Sequence, residues 1–541
     1  MPPYSACRRM DVSDSITAPV AGNPRPSGST VDRFLPLWSD RILAIADRHR
    51  HKLFLALIPF YLLSFNGQWR LEPDSALYLT IGRNVAEGHG YTYLGMPHRL
   101  AFPGLPLLFA GIFRLFHTEH LLPALIVMML IGAATLALTY RLFLLYSDRP
   151  TAVLITFGLG ISRLFYRYNF ELLSDMPFLM GAMAFLVGYE AIFHRRQPTS
   201  GKGQSTSHAK WYDWALLVSG LGVAIAMRPS MWALLIAIVL AMSWSIVRGP
   251  VRWPQIITCA TVLTGAVLFW VFDPRHNAGS SMGQYEDALF RITLTHWKVL
   301  LHNLVFRNIP KLFEGSLSQT MFGARLGPGL STLGGIGIIV VCATQLRDRP
   351  LWFLWVAITF LMMLLVIEPL DRYFLEALPL MVFAWWSGIR WLNYRLPQPW
   401  ADRVFIALFV LGGTVNLLRC GEFIVDQRRF PFRDYYLEGR YASIDRVSAL
   451  VHNHVEPKAW VMTSPIPARI ITFYSRRNVI GPKAEIDLDR AGVPLYILDP
   501  SDDDVLDRFK AIRMKPGPQL GPSVQSKYDP QPWMLHRAES Q

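Results

Sequence analysis

The sequence predicts an α-helical polytopic membrane protein of about eleven spans, ending in a small α/β domain outside the cytoplasm. Three observations predict it. Of 541 residues, 52% are hydrophobic and 17% charged, and the mean hydropathy is +0.27; an ordinary soluble chain carries roughly 25% charged residues. Apolar runs of roughly 17–25 residues recur between short loops rich in arginine and lysine, which is how membrane spans read. Beyond Arg419 the pattern changes to short helix-like and strand-like pieces, among them Ala459–Met462, Ile466–Tyr474 and Val493–Leu498.

Taken in order, residues 1–51 read as a disordered cytoplasmic tail carrying Arg8, Arg9, Arg25, Arg33, Arg41, Arg48 and Arg50, without a signal-peptide pattern. A transmembrane domain follows over 52–418. Spans are expected at 53–69, 121–143, 151–166, 176–194, 213–227, 230–247, 255–273, 329–345, 351–367, 373–392 and 402–418. The piece Ala101–Ala110 contains Pro103, Gly104 and Pro106 and is short, which favours an interfacial or re-entrant helix over a crossing. That choice sets the parity of every later span, and charge checks it. The short inner loops then hold Arg141, Arg149, Arg195, Arg196, Arg248, Arg252, Arg347, Arg349, Arg390 and Arg395. The short outer turns hold Arg228 and Arg372, with Arg163 and Arg167 as exceptions. The opposite parity places nearly every basic loop on the wrong side. The start is therefore expected inside, with outer loops at 70–120 and 274–328. Residues 419–541 form the extracytoplasmic α/β domain, with a disordered end from Pro516.

Several function classes drop out. The net charge of +14 follows from the tail and inner loops, so it does not indicate nucleic acid. Cys7, Cys259, Cys342 and Cys420 have no CxxC spacing. No GxxxxGK[ST], GxSxG or HExxH motif is present.

The chemistry is expected where the chain leaves the first span. Arg70–Tyr78 carries Glu72 and Asp74; Pro73 suits the first helical position, and Asp74 then lies in the first turn, its charge favoured by the helix dipole. Leu77, Ile81 and Val85 continue a helical face, and Gly88 and Gly90 stop it. The same outer side receives Glu171 and Asp175 before the fourth span, Arg228 in the turn Met227–Ser230, and Glu368, Asp371, Arg372 and Tyr373 in another rim. Carboxylates beside arginines at a membrane surface suit a lipid phosphate held by cations, next to an acid that takes a proton or binds a metal. Each residue also has a plainer role. Asp74 and Asp175 fit helix starts, the arginines fit headgroup contacts, Glu368 and Asp371 fit ion pairs with Arg372, and His89 and His98 fit ordinary loop positions. Independent segments delivering these groups to one face carries the functional reading.

These stretches resemble a known family. Asp74–Tyr91, followed by Phe102-Pro-Gly-Leu-Pro106, is similar to the first outer loop of GT-C membrane glycosyltransferases. The nearest branch holds the dolichyl-phosphate-mannose–protein mannosyltransferases and the bacterial lipid A aminoarabinose transferases. Ser174–Phe178 and Arg372–Pro379 fit two further family stretches, and the likeness spans roughly 53–395. It implies Asp74 and Asp175 as catalytic residues and Arg228 and Arg372 as holders of the lipid phosphate; beside them, Glu72, Arg99 and Tyr373 are expected in substrate binding. It implies a polyprenyl-phosphate-linked sugar as donor, and a protein, glycan or lipid as acceptor. A divalent metal, held by Asp74 and Asp175, is an open possibility. The sequence departs from the family at Phe102, where a basic residue is usual and Arg99 is the nearest cation, and at Glu376, where the family has proline. The bacterial branch points to an inner membrane. Two rivals stand beside this reading: a transporter or flippase of lipid-linked sugars, and a non-catalytic membrane assembly protein. Transporters place ionisable groups at mid-bilayer, often in repeated halves; here the charges gather at one surface and no repeat is found.

Overall fold

The computed structural model describes residues 38–98, 101–117, 120–193, 210–248, 301–318, 328–365, 371–395, 400–429, 443–481, 494–498, 514–524 and 532–540, with a few isolated positions between. The helices in the first half are α1 (Trp38–Arg48), α2 (Arg50–Ser64), α3 (Pro73–Ala86), α4 (Gly104–Phe116), α5 (Leu122–Phe143), α6 (Arg149–Gly160), α7 (Arg163–Tyr168), α8 (Asp175–Phe193), α9 (Trp211–Met227) and α10 (Met231–Arg248). A π-helical turn, Leu304–Asn308, runs into α11 (Ile309–Leu317). Then come α12 (Pro328–Leu346), α13 (Pro350–Leu365), α14 (Tyr373–Arg395) and α15 (Trp400–Arg429).

Helices lie at each expected span except 255–273, which falls almost entirely outside the described residues. Among the described residues four stretches are long and apolar enough to cross a membrane: Leu122–Phe143, Asp175–Phe193, Gly329–Leu346 and Ala407–Val425. The span expected at 151–166 is broken, since α6 ends at Gly160 and α7 restarts at Arg163. The carbonyls at the break are capped by side chains: Tyr61 donates to Gly160 O at 2.7 Å and Cys420 Sγ to Ile161 O at 3.3 Å. The exceptional Arg167 beyond the break is neutralised by Glu171 at 2.7 Å, and Arg70 lies 3.9 Å from the same carboxylate.

Helix α4 has 13 residues, about 20 Å of rise, which falls short of a hydrocarbon core of about 30 Å. It lies across α3, where a Cβ on Gly82 would meet Pro106 O at 2.9 Å. Its start sits on the end of α9, where a Cβ on Gly104 would meet Ala226 O at 2.8 Å. The short helix therefore covers the same end of the bundle that carries Arg228.

Glycines set the closest helix pair. On α8, a Cβ at Gly181 would lie 2.8 Å from Ala224 N and one at Gly188 would lie 2.5 Å from Asp213 O. Gly220 answers from α9, with Phe185 N at 2.4 Å and Gly181 O at 2.6 Å. With no gain from sequestering apolar surface in lipid, small residues that let backbones touch are what bind such helices. The antiparallel contact places the first residue of α8, Asp175, beside the residue that ends α9, Arg228.

The C-terminal domain is built from α16 (Ile444–His454), β3 (Trp460–Met462), α17 (Pro465–Ser475), β4 (Asn478–Ile480), β5 (Leu495–Leu498), β6 (Met514–Gln519) and β7 (Leu535–Ser540). The first-loop hairpin supplies β1 (Thr92–Tyr93) and β2 (Met96–Pro97). The five-stranded sheet runs β4-β3-β5-β7-β6, parallel across β4, β3 and β5 and antiparallel beyond. Helix α17 links the parallel strands β3 and β4 and packs on α3. Trp69 stacks edge-on against Phe473 at 5.4 Å, and Arg83 donates to Phe473 O at 2.8 Å. Burial, with Arg476 nearby, pulls the Arg83 guanidinium down to about 10.

Three boundaries move from the expected ones. The last residues of the expected tail, from Trp38, are helical, because Ile42, Leu43 and Ala46 of α1 pack on the core while Arg41 and Arg48 stay exposed. The expected domain start at 419 falls inside α15, which continues to Arg429. The end expected to be disordered from Pro516 contains β6 and β7. Pro516 and Pro518 are accommodated because β6 is the edge strand, paired only with β7 through an irregular register.

The glycine contacts make a direct prediction. Gly220→Ala pushes a methyl group into backbone atoms that have nowhere to go, at a cost of about 1–3 kcal/mol. A lowered thermal unfolding midpoint in detergent reads it. Gly222→Ala, on the open side of the same helix, is expected to leave the midpoint unchanged.

Candidate functional site

Each candidate side chain is placed by a helix end. Glu72 is extended and caps α3, its carbonyl accepting from Ala76 N–H at 2.9 Å, while Pro73 opens the helix and Asp74 follows in the first turn. Asp175 is the first residue of α8, with Phe178 N–H bonded to Ser174 O at 3.0 Å. Arg228 precedes Pro229, whose ring disfavours helical backbone one residue earlier; Arg228 is accordingly extended and terminates α9. Arg372 sits in the turn before α14, where Phe374 N–H bonds Asp371 O at 3.1 Å, and Tyr373 begins the helix.

The two halves of the site are ion-paired. Asp74 Oδ2 accepts from Arg372 Nη1 and Nη2, each at 3.1 Å, and Asp74 Oδ1 accepts from Arg469 Nη1 at 2.9 Å. Arg228 Nη1 donates to Asp175 Oδ1 and lies 3.5 Å from Glu376 Oε1. Tyr373 joins the halves, since the Cζ atoms of Arg228 and Arg372 each lie 5.7 Å from its ring centre. Three carboxylates thus meet three guanidiniums. Burial alone pulls the Arg372 guanidinium down, but the carboxylates of Asp175 and Asp74 outweigh it and hold the group above its ordinary value. Tyr78, one turn beyond Asp74, hydrogen-bonds Ser174; burial, then the Asp74 charge, pushes its hydroxyl up to about 12.

Of the residues expected from sequence, Asp74, Asp175, Arg228, Arg372 and Tyr373 come together. Glu72 stays at the cap of α3, two residues before Asp74. Arg99 and Glu368 lie outside the described residues. Glu171 belongs to the separate Arg70–Arg167 cluster. His98 Nε2 accepts from Ala101 N–H at 3.0 Å and His89 lies 3.4 Å from Glu87, so both serve the first loop itself. The sequence reading did not place Arg469 or Tyr78, and treated Glu376 only as a departure. The signal for Glu376 was an acid one helical turn beyond Tyr373 in an apolar run. For Arg469 it was a lone arginine in the apolar stretch Ile466–Tyr474.

The donor set does not fit a divalent metal. Among the described residues no group of three or more His, Cys, Asp or Glu side chains gathers to ligate one. Both Asp74 and Asp175 face guanidiniums instead.

Solved structures share this architecture. The chain superposes on ArnT from Cupriavidus metallidurans in the apo state with a TM-score of 0.54 at 12% identity, covering 93% of this chain and 97% of that one. The same enzyme bound to undecaprenyl phosphate gives 0.55 at 13%, covering 90% and 97%. The Archaeoglobus fulgidus oligosaccharyltransferase in the apo form gives 0.52 at 12%, covering 86% and 70%. The chain has the GT-C fold. No family model matches the sequence, and no curated protein matches it. Identity of this order establishes the fold alone, so the roles of the charged residues rest on their geometry.

Within this GT-C fold the inner half of the cluster is the structurally demanding one, because Arg228, Asp175 and Glu376 are each over nine-tenths buried. Arg228→Met takes from two buried carboxylates their nearest counter-charge, leaving only the more distant Arg372, and is expected to cost roughly 3–5 kcal/mol. Thermal unfolding in detergent measures this. Adding Asp175→Asn and Glu376→Gln to that variant is expected to recover part of the loss.

Proposed function

We propose that this protein is a glycosyltransferase that moves a sugar from a polyprenyl-phosphate carrier to an acceptor hydroxyl on the extracytoplasmic side of a bacterial inner membrane. The observation that carries it is the cluster of three arginines and three carboxylates at one end of a GT-C fold. ArnT, a lipid A aminoarabinose transferase that shares the fold, has been captured with undecaprenyl phosphate, and an arginine cluster suits such a headgroup.

The roles follow from where charge develops. The acceptor oxygen attacks the anomeric carbon, the bond from that carbon to the phosphate oxygen breaks, and its electron pair leaves with the phosphate. Arg228 and Arg372 neutralise that developing charge. Asp74 takes the acceptor proton, a role that suits the most exposed carboxylate of the three. Asp175 and Glu376 both hold Arg228 at Nη1, and the Tyr373 ring lies beside both guanidiniums. Glu72, which caps α3, and Arg99, which lies outside the described residues, are assigned to substrate binding by their place in the first-loop sequence. Eleven spans with the start inside put the first loop and the C-terminal domain on the same outer side, which agrees with the docking of α17 on α3. A transporter is the other class of reading, and a charge cluster at helix ends rather than at mid-bilayer weighs against it.

The deciding measurement is sugar release from short-chain polyprenyl-phosphate sugars, wild type beside Asp74→Asn, both checked for monodisperse elution in detergent. Wild-type turnover that falls by at least about a hundredfold in the variant supports the enzyme. Equal release by both removes Asp74 from the chemistry. Topology is tested separately by a reporter fused after Arg429, where α15 ends. An extracytoplasmic signal is expected, and a cytoplasmic one reverses the assigned parity.

A further inference from the structure

The outer half of the cluster is assembled from two different domains, and its charges are already balanced. Asp74, Asp175 and Glu376 neutralise Arg228, Arg372 and Arg469. Among the described residues of this cluster an incoming phosphate therefore meets no surplus of positive charge, and it binds where a carboxylate gives way. Exposure singles out which one. Asp74 is 33% exposed, whereas Asp175 and Glu376 are each 2% exposed. Its partners are the reachable ones too, Arg372 at 19% and Arg469 at 40%, against 9% for Arg228. Both Asp74 oxygens are occupied, one by the paired Nη atoms of Arg372 and the other by Arg469. Two guanidiniums converging on one planar anion is the arrangement that also grips a phosphate through paired N–H donors.

We propose that Arg469, from the C-terminal domain, is a phosphate-binding residue of the donor site, and that Asp74 is the resident anion which the lipid phosphate displaces from between Arg372 and Arg469. The inference rests on the glycosyltransferase reading above. It gives the C-terminal domain a direct part in the site. Helix α17 is held on α3 by contacts independent of Asp74: Trp69 against Phe473 and Tyr474, Arg83 on Phe473 O, and Arg476 at 3.5 Å from Glu87. That docking delivers Arg469 to its place. Displacement also orders the reaction, because Asp74 is released to an acceptor only once phosphate has taken its partners.

Equilibrium binding separates these roles without needing turnover. Farnesyl phosphate would be titrated into the purified full-length protein in detergent, with farnesol and inorganic phosphate as separate arms. Wild type is expected to bind farnesyl phosphate above both controls. Asp74→Asn, which removes the competing anion, is expected to bind it about tenfold tighter, and Arg469→Ala about tenfold weaker, with partial recovery in Arg469→Lys. Arg476→Ala removes one of several docking contacts, away from Asp74, and leaves Trp69 on Phe473 and Arg83 on Phe473 O in place, so it is expected to weaken binding far less than Arg469→Ala. If Arg476→Ala weakens binding as much as Arg469→Ala, Arg469 serves domain docking and the inference fails. Weaker binding by Asp74→Asn overturns the displacement. Inorganic phosphate binding as tightly as farnesyl phosphate overturns a lipid-headgroup site. No binding by the wild type overturns the glycosyltransferase reading itself, and the inference falls with it.

Discussion

Charged groups at the edge of hydrocarbon must be neutralised where they stand, because the low dielectric makes an unpaired charge far more costly than it is in water. Much of this structure answers that constraint. Arg167 is matched by Glu171, Arg141 by Asp213 at 2.7 Å, and Arg228 by Asp175 and Glu376. The inner pairs are fixed by backbone contact: α8 and α9 touch through Gly181, Gly188 and Gly220, so Asp175 has no freedom to leave Arg228. Toward the outer surface the pairing becomes exchangeable, since Asp74 and Arg469 reach solvent. The gradient from fixed to exchangeable pairs is what turns a structural ion network into a place where an anion can enter.

The helices of the bundle were legible in the sequence because the length of each apolar run marks them. The first-loop helix was equally plain, since Pro73, Asp74 and the Leu77–Ile81–Val85 spacing each point to the same start and face. Where reading failed, opposed signals shared one segment. Trp38–Arg48 hides an apolar face inside a polar, arginine-rich stretch. Met514–Gln519 has the composition of a loop, yet its prolines lie on a sheet edge, where the missing N–H groups cost nothing. The break at Gly160–Ser162 depends on Tyr61 and Cys420, which lie far away in sequence and become partners only after folding.

The candidate site was legible in its membrane half and silent in its soluble half. Asp74, Asp175, Arg228 and Arg372 each sit at a helix end that local sequence marks, and one topology brings them to one side. Arg469 is separated from Asp74 by 395 positions, in a stretch whose alternation says only that a helix precedes a strand. Locally, only its place inside the apolar run Ile466–Tyr474 sets it apart from Arg476 and Arg477. Its role depends on which face of α17 meets α3, and that face is chosen by Phe473 and Tyr474 packing on Trp69.

Placing one cation of the site on a separate domain has a mechanical consequence. The Arg372–Asp74 contact joins two elements of the membrane domain, whereas the Arg469–Asp74 contact crosses the domain boundary. The boundary is secured by aromatic stacking and by Arg83 on a backbone carbonyl, neither of which involves the anion between the arginines. Exchange of that anion can therefore proceed with the domains docked, and the energy of phosphate binding goes into releasing Asp74 rather than into moving a domain. With Asp74 as the proposed proton acceptor, a site built this way keeps that carboxylate paired until a phosphate is in place, so that activation of an acceptor hydroxyl waits for the donor.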